Sequence, residues 1–204
     1  MNRPLPNAIY PGLKGRTAFV TGGATGIGCA MVTPFARQGM RVGFCDIAIP
    51  EGEALAASLG AAGHEARFDP VDVRDTDALQ QALRNTADRW ATIDVLVNNV
   101  ANDSRQDWRD LTCAEWDNAM AINLRPAFFA IQAVPPGMIA REHGSIIDLG
   151  SISWKAKYGT MPAYTTAKAA IHGLTRSYTV LHGLSYRRWG NTIFVSTRSF
   201  PVGF

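Results

Sequence analysis

The stretch that most restricts the fold is Thr21-Gly22-Gly23-Ala24-Thr25-Gly26-Ile27-Gly28. A β-rich run, Arg16 to Thr21, leads into it, and an amphipathic helical pattern follows to Gln38, where Gly39 stops it. Glycines between a strand and a helix permit a tight turn and let backbone N–H groups approach a pyrophosphate at the helix N-terminus. The spacing of Gly22, Gly26 and Gly28 is not Gly-x-Gly-x-x-Gly, and an ordinary glycine-rich turn would contain the same residues. The next strand weighs against that, because Arg41 to Asp46 is apolar up to a terminal carboxylate. Asp46 at that place can accept both hydroxyls of an adenosine ribose and would repel a ribose phosphate. No arginine or lysine lies in the glycine loop to bind such a phosphate. The pattern therefore predicts a dinucleotide site that takes NAD rather than NADP.

The alternation continues down the chain. Pro50 and Glu51 open a helix that ends near Gly60 to Gly63, and Glu65 to Asp69 is a weaker strand. Asp75 caps a helix running to about Trp90, and Asp94 to Asn98 is a fourth strand. Thr112 and Glu115 form a capping-box pattern at the head of a long helical region. Ser145 to Leu149 reads as a fifth strand, and a helix begins near Pro162 and extends to about Ser177. Strands alternating with helices predict one α/β domain, a doubly wound parallel sheet in a three-layer α/β/α arrangement. Ligands of such sheets bind beyond the carboxyl ends of the strands. The glycines, Asp46, Asp72, Asn98 and Ser151 all follow strands. Asp72-Val73 after the third strand is a candidate adenine contact, or equally a loop aspartate capping nearby N–H groups.

Tyr164 and Lys168 stand four apart, which puts both on one face of the last helix. An ammonium beside a phenol favours the phenolate, so the pair reads as a proton acceptor, with the Ser151 hydroxyl available to hold a substrate oxygen. On spacing alone a surface helix with an unremarkable Tyr and Lys is the better reading. The surrounding pattern reverses that preference.

Composition excludes several classes. The chain has 204 residues, 47% hydrophobic, with a net charge of +3 and no basic run, so neither nucleic acid nor a membrane surface is an expected partner. Cys29, Cys45 and Cys113 are far apart and odd in number, which predicts reduced thiols in the cytoplasm. The histidines His64, His143, His172 and His182 have no paired spacing, and no metal site is expected. Residues 1–14 read as an irregular arm rather than a signal peptide.

Taken together, Thr21 to Gly28, Asp72-Val73, Asn98-Asn99-Val100-Ala101, Asn123, Ser151 and Tyr164-x-x-x-Lys168 resemble the short-chain dehydrogenase/reductase family, with its Rossmann-type sheet. The Asn98 run departs mildly from the family's Asn-Asn-Ala-Gly. The resemblance implies that Tyr164 takes the substrate proton while hydride passes to the nicotinamide. It implies that Ser151 holds the substrate oxygen, Lys168 assists Tyr164 and binds the nicotinamide ribose, and Asn123 positions a water in the proton relay. It adds Asn99 and Val100 to the cofactor set of Gly22, Thr25, Gly26, Ile27, Gly28, Asp46, Asp72 and Val73. Val100 to Arg105 and Gly150 to Trp154 are similar to the family's bacterial xylose and aldose 1-dehydrogenases. Asn102, Asp103, Arg105 and Ser153 could then meet sugar hydroxyls and Trp154 a sugar face, or they form a polar loop and a packed tryptophan. The implied substrate is a small alcohol or sugar, the product from an aldose a lactone, and the implied assembly a homotetramer or homodimer.

After Ser177 the resemblance stops. Codons exist for Phe194 to Gly203 that, read in another frame, spell Arg-Val-Asn-Thr-Ile-Phe-Pro-Gly-Gly, close to the family's Arg-Val-Asn-x-Ile-x-Pro-Gly. The expectation is a frame change between about Ser177 and Phe194 and a sheet missing the family's last strands and substrate lid, with Thr192 to Ser196 as a strand-like run that could partly cover the edge. A dead dinucleotide-binding remnant is the competing reading. Pro34 inside the first helix and Pro135-Pro136 after Asn123 add to an expectation of low stability.

Overall fold

Parallel strands need crossover helices, and the chain supplies one after almost every strand. The computed structural model describes residues 8–141, 143–156, 159–181, 185–189 and 192–196, giving the backbone alone at 135 and from 179 onward. The order is β1 (Thr17–Thr21), α1 (Gly26–Arg37), β2 (Arg41–Asp46), α2 (Ile49–Ala61), β3 (Ala66–Pro70), α3 (Thr76–Trp90), β4 (Val95–Asn98), α4 (Cys113–Asn123), α5 (Arg125–Ala133), α6 (Pro135–Ala140), β5 (Ser145–Leu149), α7 (Pro162–Leu181), β6 (Ser185–Trp189) and β7 (Thr192–Ser196). The strands lie in the order β3-β2-β1-β4-β5-β7-β6, and the first five are parallel.

Side chains alternate across the strands and build a core on each face. In β1, Ala18 and Val20 face Val32 and Ala36 of α1 together with Met40, Val42, Phe44 and Leu59. Phe19 points the other way, into a cluster with Leu79 and Leu83 of α3, Leu96, Ile131, Met138 and Ile146. This is the expected doubly wound sheet. The strand order reverses between β1 and β4, which opens a crevice at their carboxyl ends.

Local features refine the sequence reading. The helical region after Thr112 breaks twice, at Leu124 (φ −131°, ψ −56°) and at Val134, and a proline stands in the first turn of each following helix. The capping box itself forms, with Thr112 Oγ1 accepting from Glu115 N at 3.2 Å and Glu115 Oε2 accepting from Thr112 N at 2.9 Å. Helix α7 continues past Ser177 to Leu181. At the sheet edge the strand-like run expected there forms, with a second strand beside it. Thr192–Ser196 pairs antiparallel with β5 along its whole length, and Ser185–Trp189 pairs antiparallel with it in turn. A hairpin therefore covers the β5 edge, in place of further parallel strands. Residues 197–204, which carry much of the shifted-frame reading, lie outside the described residues.

Of the N-terminal arm, the described part includes a short turn of 3-10 helix at Pro11–Leu13. Gln38 ties it down, accepting from Tyr10 N at 2.9 Å and donating to Ala8 O at 2.7 Å. No described helix is long and apolar enough to cross a membrane.

Candidate active site

Helix α1 starts directly above β1, so its unpaired N–H groups crown the crevice. Gly22 (φ +65°) and Gly26 (φ +53°) hold left-handed conformations that suit glycine. A Cβ on Gly22 would lie 2.8 Å from Val100 Cγ2. Gly28 has a different task, since its Cβ would lie 1.8 Å from the Gly22 carbonyl oxygen. It lets α1 pack onto the turn and does not line the crevice. Thr25 is the N-cap of α1, with no capping hydrogen bond from its side chain. Asn99 fastens the end of β4 to this turn. Its side-chain amide donates to Thr21 O at 3.0 Å and Gly22 O at 2.9 Å.

The crevice encloses about 630 Å³ and is lined by Gly22, Thr25, Ile27, Asp46, Asp72, Val73, Asn99, Val100, Asn102 and Asp103 among others. One cavity thus collects predicted cofactor residues from four separate βα turns. Asp46 accepts from Ala24 N at 3.0 Å and from Ala48 N at 3.1 Å, which aims its carboxylate into the space. Ile27 and Ile47 stand 66% and 72% exposed on its walls, apolar surfaces with nothing over them. Asp72 forms a short pair with Arg74 (2.5 Å), whose guanidinium holds the Asp72 carboxyl below its usual range.

Beside the crevice, α7 brings Tyr164 and Lys168 together, with Lys168 Nζ 5.9 Å from the Tyr164 ring centroid. Lys168 is buried and donates to Leu149 O at 2.9 Å. Burial pushes the Lys168 ammonium down to about 8, against the opposing pull of Asp148. Ser151 Oγ accepts from Ser153 N at 3.1 Å, which leaves its own proton to donate. Asn123 is buried at the end of α4 and clamps the loop after β4. Its Oδ1 accepts from Asn102 N at 2.8 Å, and its Nδ2 donates to Asn102 O and Ala119 O, each at 3.0 Å. The side chain is thus spent on the backbone. The helix break at Leu124 frees carbonyls of the last turn of α4 from the helical ladder. Asn123 and Lys168 also share a cavity of about 10 Å³, near the size of one water.

The substrate candidates divide. Asn102 and Asp103 line the crevice. Arg105 instead donates to Thr160 Oγ1 at 3.0 Å, tying its loop to the segment before α7. Ser153 is only 2% exposed, because the turn after β5 folds it inward. Trp154 packs edge-on against His172 at 5.2 Å and under Lys155 at 4.9 Å, which favours the packed-tryptophan reading. A small polar cavity of about 60 Å³ next to Tyr164 is lined instead by Asn102, Ser104, Gln106, Glu115, Asn118 and Asn123. Ser104, Gln106 and Asn118 escaped the sequence reading. The 115, 118, 122 spacing on α4 was the available signal. Among the described residues, no cluster of His, Cys, Asp or Glu could hold a metal.

The family assignment follows from comparison. The sequence model of the short chain dehydrogenase family matches residues 16–186. The chain belongs to the short-chain dehydrogenase family. It is 42% identical over 174 residues to the probable galactose dehydrogenase of Rhizobium meliloti, covering 85% of this chain and 68% of that protein. It is 41% identical over 173 residues to the D-xylose 1-dehydrogenase of Caulobacter vibrioides, with the same coverage of 85% and 68%. A mutant short-chain dehydrogenase/reductase of Serratia marcescens superposes with a TM-score of 0.75 at 32% identity, covering 85% of this chain and 71% of that one. This short-chain dehydrogenase is accordingly an oxidoreductase, with sugar dehydrogenases among its relatives.

Proposed function

We propose that this short-chain dehydrogenase oxidises an aldose, or a related secondary alcohol, with NAD. The observation that carries the reading is the shared position of the crevice and the Tyr164–Lys168 pair, beyond the carboxyl ends of the parallel strands. The glycine turn fits a pyrophosphate, since Gly22 could hold no side chain beneath Val100. Asp46 would accept the adenosine ribose hydroxyls. Arg74 also lines the crevice, but its pairing with Asp72 occupies the guanidinium, which favours NAD over NADP. Lys168 and Asn99–Val100 would flank the nicotinamide half. When bound, the cofactor supplies the hydride acceptor.

The chain's own groups handle the proton and the substrate oxygen. Ser151 donates a hydrogen bond to that oxygen and Tyr164 takes its proton. Lys168 provides the positive charge beside Tyr164. A water held near Asn123 and Lys168 would pass the proton on. The net change is one hydride lost from carbon and one proton from oxygen, giving a lactone from an aldose. The polar cavity beside Tyr164 supports a polyhydroxylated substrate over a steroid or an acyl chain. Localisation in the cytoplasm and assembly as a dimer or tetramer remain part of the same proposal.

The antiparallel hairpin favours a second reading, a cofactor-binding chain with impaired turnover, because it stands where the family's next parallel strands and substrate lid would begin. NADH formation from NAD with a panel of aldoses separates the two. The assay compares this chain with a version whose residues after Ser177 follow the family pattern. Tyr164→Phe is expected to cut turnover by about 10²–10⁴-fold without loss of cofactor binding. Undiminished turnover in that variant would remove Tyr164 from the reaction, and NAD binding without turnover in the parent would favour the second reading.

A further inference from the structure

Strand β5 carries a carboxylate, Asp148, in the middle of the core. It is 1% exposed, and Lys168 is 3% exposed. Each is costly to bury as a charge unless something compensates it. Asp148 faces Asn98 across the β4–β5 register, and Asn98 Nδ2 donates to its Oδ1 at 2.8 Å. Thr175 Oγ1 lies 2.9 Å from Oδ2 and 2.7 Å from the Ile171 carbonyl oxygen, so its one proton is shared between two acceptors. Lys168 and Thr175 are seven apart, two turns on one face of α7. That face grips the end of β5 at two successive residues, Lys168 on the Leu149 carbonyl and Thr175 on the Asp148 carboxylate.

We propose that Asp148 is a positioning residue, whose buried carboxylate, one residue before the Leu149 carbonyl that Lys168 grips, keeps Lys168 charged beside Tyr164. This rests on the reading of Tyr164 and Lys168 given above. The electrostatics agree with the geometry. Burial lowers the proton affinity of Lys168, and the Asp148 charge is what opposes it. Burial holds the Asp148 carboxyl above its usual range, opposed by the Asn98 and Thr175 hydrogen bonds and, after them, by the Lys168 charge. Among the described residues, several that pack around this pair carry no charge. Asn98 on β4, Asn123 on α4 and Thr175 on α7 are neutral, and β7 (Thr192–Ser196) has no ionisable residue. On α7, Tyr164 lies beyond Lys168, His172 packs on Trp154, and Arg176 is exposed. Arg187 and Arg188 lie on β6, one strand further out than β7.

The test reads Lys168 directly. The chain contains four lysines, so ¹³C-labelled lysine gives four side-chain signals, and Lys14→Arg, Lys155→Arg and Lys157→Arg assign the other three. In the parent, Lys168 is expected to titrate near 8. In Asp148→Asn, which can still accept from Asn98 and donate to Thr175, it is expected to lose its proton at a pH lower by about one. The alkaline limb of the kcat profile moves with it. An unmoved Lys168 titration in folded Asp148→Asn overturns the proposal, as does a slower variant with an unshifted limb. Should that variant not fold, the ¹³C carboxyl signal of Asp148 in the parent decides. Ionisation while Lys168 is still charged upholds the pairing, and a carboxyl that stays neutral throughout refutes it. Because the lysine signal needs no turnover, failure of the dehydrogenase reading would appear separately, in the aldose assay.

Discussion

Gly28 and Lys168 are both tightly constrained by their environments. A methyl group at Gly28 would sit 1.8 Å from the Gly22 carbonyl oxygen, so backbone must move. Gly28→Ala is expected to cost about 1–3 kcal/mol of stability and to weaken cofactor binding, because the shift falls on the phosphate turn. Denaturant unfolding with a cofactor titration checks both, and an unchanged midpoint and affinity would contradict the packing role. For Lys168 the folded value of about 8 lies below the ordinary 10.5. Below the folded value the side chain is charged in both states, and its burial cost is fully present. Between about 8 and 10.5 the unfolded chain holds the proton while the folded chain has shed it, so this group's contribution to stability rises with pH. The rise is at most about 3 kcal/mol. Lys168→Met should abolish it, and a parent-minus-variant difference that stays flat across that window would contradict the argument.

At the scale of elements, α1 is a helix with a flaw. It runs unbroken from Gly26 to Arg37 through Pro34. Proline there removes one helical hydrogen bond and crowds the carbonyl one turn earlier. The helix persists because Val32 and Ala36 are fully buried against β1 and β2. Pro34→Ala should therefore stabilise the chain by about 1–3 kcal/mol, read as a higher denaturation midpoint. No gain would mean that the neighbouring turns had already absorbed the defect. The prolines near Pro126 and Pro135 act differently, because each sits in a first turn, where a missing N–H costs nothing.

For the whole molecule, the open question is the far edge of the sheet. Five parallel strands end at β5, whose outer edge would otherwise present free N–H and C=O groups. The β6–β7 hairpin pairs with it. Ile147 and Leu149, on one face of β5, are only half buried, while Ile146 on the other face is buried. Removing residues 182–204 should expose the edge and produce concentration-dependent aggregation, measurable by light scattering. A monodisperse shortened chain would show that the hairpin protects nothing. The intact chain is expected to unfold below about 65 °C.

The sequence alone determined the parallel α/β sheet, because short apolar β-rich runs alternate with helical patterns, several of them marked by start or stop residues. It also singled out the glycine turn and Asp46 from their places between strand and helix, and Tyr164 and Lys168 only through the pattern around them, because their spacing by itself reads as an ordinary surface helix. Tertiary structure decided what depends on contacts far apart in the chain. Ser153 turned inward and Trp154 packed on His172, although both are polar-loop neighbours of Ser151 in sequence. Gln106 and Asn118 joined Tyr164 around one small cavity. Asp148 passed for one more position in an apolar strand, yet Asn98, fifty residues earlier, and Thr175, twenty-seven later, meet on its carboxylate. Local pattern fixes which face a side chain occupies. Which partners wait on that face is set only when separate elements pack.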